Sequence, residues 1–193
     1  MFVASFAVIA MLSAPKPPAI AVDADTRAKL QLIAFQAVRD GDTKTLTEYF
    51  AAGFSVNDVN ARGDSLLCVA AYNGQPDAVA LILKQPGVKL EARNKMGLTA
   101  LSAAAFKGDV AIAKLLVKQK AEVNAANESG QTPLMFAALT GRTEMVKYLL
   151  EAGADSAAVD KSKNTAASLA RGQGAKELAE LIEAAKAAKT TKP

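Results

Sequence analysis

The chain is poor in side chains that do chemistry. Its 193 residues contain no histidine and a single cysteine, Cys68. Without an imidazole, histidine-based general acid–base catalysis is excluded, and Ser65 and Ser102 have no histidine to activate them as nucleophiles. One cysteine cannot close an intrachain disulfide, and no Cys/His cluster is available for zinc. Cys68 reads as a small apolar filler rather than a redox group. Asp40, Asp42 and Glu48 are carboxylates near one turn, but a solvated helix end explains them better than paired acid–base work. Neither Gly-x-x-x-x-Gly-Lys-Ser/Thr nor Gly-x-Gly-x-x-Gly occurs. Arg171-Gly172-Gln173-Gly174 comes closest, in a turn between helices and not after a strand. These residues point away from an enzyme and imply no cofactor and no metal.

Charge narrows the partners. The formal net charge is +4 with a pI near 9.1. A nucleic-acid binder concentrates its cations in a stripe with stacking aromatics. Here the lysines are dispersed apart from a loose C-terminal run, Lys186, Lys189 and Lys192, and aromatics make up 5% of the chain. No nucleic acid is expected as a partner.

The elements that would position any site recur on a beat. Gly63-Asp64-Ser65-Leu66-Leu67 leads to Ala70-Ala71 and Gly74. Gly97-Leu98-Thr99-Ala100-Leu101 leads to Ala104-Ala105 and Gly108, and Gly130-Gln131-Thr132-Pro133-Leu134 leads to Ala137-Ala138 and Gly141. The steps are 34 and 33 residues. A period of this size predicts stacked helix pairs. The second helices carry apolar residues three and four apart: Val79, Ile82 and Leu83; Ile112, Leu115 and Leu116; Met145, Val146, Leu149 and Leu150. One lone pair cannot bury such a face, so neighbours must stack. A further unit begins at Lys163-Asn164-Thr165-Ala166-Ala167, and Ala37 and Gly41 mark a partial unit upstream, from near Thr26.

The pattern resembles the ankyrin repeat, most closely from Asn127-Glu128-Ser129-Gly130-Gln131-Thr132-Pro133-Leu134 through Ala137-Ala138 and Gly141 to Gly153-Ala154-Asp155. The resemblance implies an all-α repeat solenoid of helix–turn–helix units with short projecting hairpin loops. Its expected layout is a partial N-cap unit at about 26–57, full units at about 60–92, 93–125 and 126–158, and a C-cap unit at about 159–186. A Lys-containing frayed tail follows at 187–193. Thr132 is suited to cap a helix with Pro133 at its first position. Asn60, Asn94, Asn127 and Asp160 fall where short polar side chains bond a turn. The end units place Arg27, Lys29 and Gln31, and Lys176, Glu177, Glu180 and Glu183, among apolar residues, as polar caps should.

Departures from the family pattern are as telling. Its usual histidine is replaced by Cys68, Ser102, Met135 and Ser168, which removes the hydrogen bonds that histidine would make. Lys120 stands where Gly153 stands one unit later, in a turn that favours glycine. The loop Gln85-Pro86-Gly87 carries one extra residue.

The resemblance also implies a function. Such stacks bind another protein through hairpin tips and the inner-helix positions after the alanine pair. Those positions hold Arg39-Asp40, Tyr72-Asn73, Phe106-Lys107 and Leu139-Thr140, and the tips include Arg62, Asp64, Lys95, Met96, Leu98, Glu128, Gln131 and Lys161. Tyr72, Met96, Leu98, Phe106 and Leu139 are apolar where the repeat does not require it. All of them have the alternative of folding back onto a neighbouring helix, Leu98 and Leu139 more than Tyr72 and Phe106. Tyr72, Phe106 and Lys107 combine aromatics with a cation and are the leading anchors, joined by Asn73, Arg62 and Lys95. Met135 and Phe136 are expected in the core. The module is expected to be monomeric.

Residues 1–14, MFVASFAVIAMLSA, carry no charge and are too short to span a bilayer comfortably. With Ala19-Ile20-Ala21 they read as a signal peptide cleaved after Ala21, although a positive leading region is missing. That implies a periplasmic or secreted protein. The alternatives are a segment left uncleaved, tethering an envelope scaffold or enzyme accessory to the membrane, a cytosolic scaffold that keeps its leader, or a disordered or buried N-terminal strand. Pro15-Lys16-Pro17-Pro18 argues against the strand.

Overall fold

The computed structural model describes residues 22–190. The signal segment expected at 1–21 and the last three residues of the chain lie outside the described residues. Within them, ten helices form five helix–turn–helix units. These are α1 (Ala24–Asp40) with α2 (Thr43–Ala51), α3 (Leu66–Tyr72) with α4 (Pro76–Leu83), and α5 (Ala100–Lys107) with α6 (Val110–Lys118). Then follow α7 (Pro133–Leu139) with α8 (Thr143–Glu151), and α9 (Ala166–Gly172) with α10 (Lys176–Thr190). α10 runs on to Thr190, past the point where a tail is expected. No helix among the described residues is long and apolar enough to cross a membrane.

Local chemistry starts most of the helices. Ser65, Thr99, Thr132 and Thr165 stand in the N-cap position of α3, α5, α7 and α9, and each hydroxyl accepts the backbone N–H three residues on. Asp23, Asp42 and Asp109 do the same for α1, α2 and α6. Pro133 and Pro76 sit in first turns, where a missing N–H is harmless.

The odd-numbered helices form an inner layer and the even-numbered an outer one, with inner helices in closer contact with one another than outer helices are. The alanine pairs explain this. Ala70, Ala71, Ala104, Ala105, Ala137 and Ala138 are fully buried, and a methyl group lets neighbouring helices approach. Bulky residues fill the space between layers: Leu66, Leu67, Val79, Ile82, Leu101, Ile112, Leu116, Leu134, Met145 and Leu149 are buried in one continuous core. The N-terminal end is less polar than its sequence implies. α1 turns Phe35 and Val38 inward, which leaves Leu32, 70% exposed, and Ile33 facing outward.

Side chains clamp successive units on the outer side. Asn57 donates to the Gly87 carbonyl (2.8 Å) and accepts from the Lys89 N–H (2.7 Å). Glu91 and Asn124, at equivalent positions, accept from the N–H of Glu122 (2.9 Å) and Asp155 (2.8 Å).

The departures from the repeat pattern have visible consequences. Lys120 does adopt a left-handed backbone, φ 72°. So does Lys163, φ 66°, at the place of Gly63, Gly97 and Gly130. The earlier glycines face the backbone of the following hairpin, whereas no hairpin follows that of Lys163 among the described residues. The loss of histidine is partly made good. Ser168 accepts from the Thr165 N–H (2.9 Å) and donates to its carbonyl (3.0 Å), and Ser102 lies 3.2 Å from the Thr99 hydroxyl.

Candidate functional site

Four hairpins line one edge of the inner layer, each held by one side chain. The Asn60 carboxamide oxygen accepts from the N–H of Arg62 (2.8 Å) and Asp64 (3.0 Å). Asn94 does so for Met96 and Leu98, Asn127 for Ser129 and Gln131, and Asp160 for Ser162 and Asn164. The hairpins therefore project as preformed turns.

The first two hairpins are locked together through Asp64. Its carboxylate accepts from Asn94 (2.7 Å), Asn60 (3.0 Å) and the Arg62 guanidinium (2.9 Å). Burial opposes ionisation of Asp64, but these three donors outweigh it and hold its pKa below the ordinary carboxylate value.

Between hairpins and inner helices lie two adjoining hollows. The first, about 320 Å³, is bordered by Arg39, Arg62, Asp64, Asn73 and Asn94. The second, about 310 Å³, is bordered by Phe106, Phe136, Asn127 and Gln131. Tyr72, Met96, Leu98 and Ala103 border both. Tyr72 and Phe106 stack with ring centroids 6.2 Å apart and an interplanar angle of 16°. The Lys107 ammonium reaches back over Tyr72, 5.1 Å from its centroid. At an exposed site such a cation–π contact is worth about 0.5–1 kcal/mol. Tyr72 is 48% exposed, Phe106 38% and Met96 65%, so this is an open apolar surface.

The structure thus gathers Tyr72, Asn73, Met96, Leu98, Phe106, Lys107 and Arg62 on one face. Leu98 is half-buried and still reaches both hollows. Leu139 is also half-buried but borders neither, and Lys95 stands exposed at a hairpin tip beside them. Asn73 is partly committed to the fold, its amide donating to the Val69 carbonyl (2.8 Å).

Phe136 corrects the sequence reading. Met135 is buried as expected, but Phe136 is only half-buried and walls the second hollow. Its equivalents one and two units earlier are Ala103 and Val69, both buried. The small Ala103 leaves the space that Phe136 borders. The signal in the sequence was this change of bulk at one repeat position. Arg39, at the inner-helix position of the first unit, also borders a hollow.

Cys68 borders the first hollow but is buried, and burial pushes its thiol pKa up to about 12, with the Asp64 charge adding to the effect. A thiol so protonated is a poor nucleophile. No cluster of three or more potential metal ligands exists among the described residues.

The stacked units, their capping pattern and their aligned hairpins agree with comparison to known families. A family model described as ankyrin repeats (3 copies) matches residues 34–127, and another, ankyrin repeats (many copies), matches 115–170. The chain is an ankyrin-repeat protein. Ankyrin repeats are generally protein–protein interaction modules and typically non-catalytic. No curated protein matches the chain. In this ankyrin stack, the hairpin glycines bring successive turns together: a Cβ on Gly97 would stand 3.0 Å from the Glu128 backbone nitrogen.

Proposed function

We propose that this ankyrin-repeat protein is a non-catalytic, monomeric binding module that holds a partner protein on the face carrying Tyr72, Met96, Leu98, Phe106 and Lys107. The observation that carries this reading is the exposed Tyr72–Phe106 stack beneath Lys107. The repeat needs no aromatic at either position, and exposed aromatics flanked by cations are the usual anchors of an interface. Hairpins held by their own hydrogen bonds lose little ordering entropy on binding. A photo-crosslinking amino acid at Met96 should capture the partner in cells, and Tyr72→Ala/Phe106→Ala should abolish capture. Undiminished capture by a double variant with native circular dichroism would refute the reading.

We also propose that the module acts after export, free in the periplasm or secreted, once residues 1–21 are removed. The uncharged apolar run and Ala19-Ile20-Ala21 support this, and the first helix cap, Asp23, stands two residues beyond the cut. N-terminal sequencing of the soluble chain should begin at Val22. Full-length chain in the membrane fraction would replace free export with a tethered scaffold or enzyme accessory, and full-length chain in the cytosol would overturn export.

A further inference from the structure

We infer that the segment this face receives is acidic and apolar at once: a stretch of partner chain with an Asp or Glu side chain close to a large apolar one. This rests on the Tyr72–Phe106 face being the binding face and adds the chemistry of the occupant.

The two hollows differ in character, and the difference selects the ligand. Among the described residues bordering the first are two cations, Arg39 and Arg62, and one carboxylate, Asp64. Asp64 is buried, and both its oxygens are occupied by Asn94, Asn60 and Arg62. Its charge is already met by Arg62, which leaves Arg39 as the cation on this border without an ion pair among the described residues. Arg39 is exposed and its guanidinium reaches only the Gln36 carboxamide, at 3.4 Å, with no ion pair among the described residues. Lys107 borders neither hollow, but its ammonium lies over the Tyr72 ring that borders both, 5.1 Å from the centroid. A carboxylate entering here gains charge-assisted hydrogen bonds from a planar guanidinium.

The second hollow has no charged residue on its border. Its walls are the faces of Phe106 and Phe136, with the Asn127 and Gln131 carboxamides at the rim. It suits a leucine, phenylalanine or tryptophan side chain, since the Asn127 carboxamide at the rim is already engaged with Ser129 and Gln131. Because Tyr72, Met96, Leu98 and Ala103 border both hollows, one short segment can fill the two together. Carboxylates also occur nearby, Asp40 at the end of α1, Glu128 on the third hairpin and Asp109, which shares a shallower depression with Lys107, but none borders either of the two hollows. Asp40 accepts from Gln36.

The test selects a random twelve-residue peptide library displayed on phage against the purified chain. The enriched peptide, labelled with fluorescein, is then titrated by anisotropy. Enriched sequences should pair Asp or Glu with Leu, Phe or Trp within a few positions. Arg39→Gln should weaken binding about two- to fivefold and Arg39→Glu more, the range of an exposed ion pair, and binding should fall as salt rises. Basic or uncharged consensus sequences, or no enrichment, overturn the inference. So does binding indifferent to salt and to both Arg39 variants when their circular dichroism is native. If such peptides still lose binding in Tyr72→Ala/Phe106→Ala, the face stands and only its acidic preference falls. If they bind the double variant unchanged, the face falls too.

Discussion

Replacing Gly97 with alanine separates two demands that a hairpin glycine meets. Gly97 has φ +74°, and an added Cβ would lie 3.0 Å from the Glu128 backbone nitrogen and 3.2 Å from the Asn127 Cα. Both atoms belong to the next hairpin, which Asn127 ties to the N–H groups of Ser129 and Gln131, so they cannot swing aside freely. Gly141, between α7 and α8, has φ +67° and nothing within 4 Å of its virtual Cβ. Gly141→Ala should therefore cost left-handed strain alone, about 1 kcal/mol. Gly97→Ala adds the overpacking of one hairpin against another, bringing the total to about 2–4 kcal/mol. At about 3 °C per kcal/mol for a domain of this size, the melting temperature should fall about 3 °C for Gly141→Ala and about 9 °C for Gly97→Ala. Circular dichroism melts of the two variants and wild type measure this directly. Equal shifts would refute the claim that hairpin packing, and not backbone strain, sets the need for glycine at 97. Because Met96 and Leu98 flank this glycine, displaced packing should also weaken partner capture.

Lys120→Gly should stabilise the protein by about 1 kcal/mol in urea unfolding, since it relieves a left-handed non-glycine residue, φ 72°. Ala103→Leu should fill the floor shared by both hollows and block binding with the melting temperature nearly unchanged, as Leu169 occupies the equivalent place in the last unit. Cys68, with its pKa raised to about 12, should label slowly with iodoacetamide at pH 8 in the folded chain and rapidly in urea. The raised value makes the sign definite. The unfolded thiol ionises near pH 8.5, so the protonated thiol's contribution to stability is intact below that pH and is lost as pH rises toward 12. The stability of wild type relative to Cys68→Ala should decline over that interval, and a flat or rising difference would contradict the burial argument.

Helix starts, turns and the number of units were legible because their causes are local. A threonine three residues before the N–H it caps, an asparagine bonding the turn it begins, and paired alanines on one helix face all act within a few positions. The outward placement of Tyr72, Phe106 and Lys107 was legible as bulk and charge left over after the repeat pattern was accounted for. Phe136 was misjudged because its neighbours in sequence are buried, and nothing local distinguishes it from them.

The chain by itself determined that helix pairs stack in an ankyrin array and that hydrogen-bond and glycine chemistry shapes every turn. Tertiary structure alone decided what lies beside what across units. It stacks Tyr72 on Phe106, brings Arg39 and Arg62 to the border of one hollow, opens a hollow over Ala103, and gives Gly97 a hairpin to meet. These contacts join residues that are mostly one repeat apart. They depend on the distance and rotation between whole helix pairs, which follow from the summed packing of the core and from no short run of sequence.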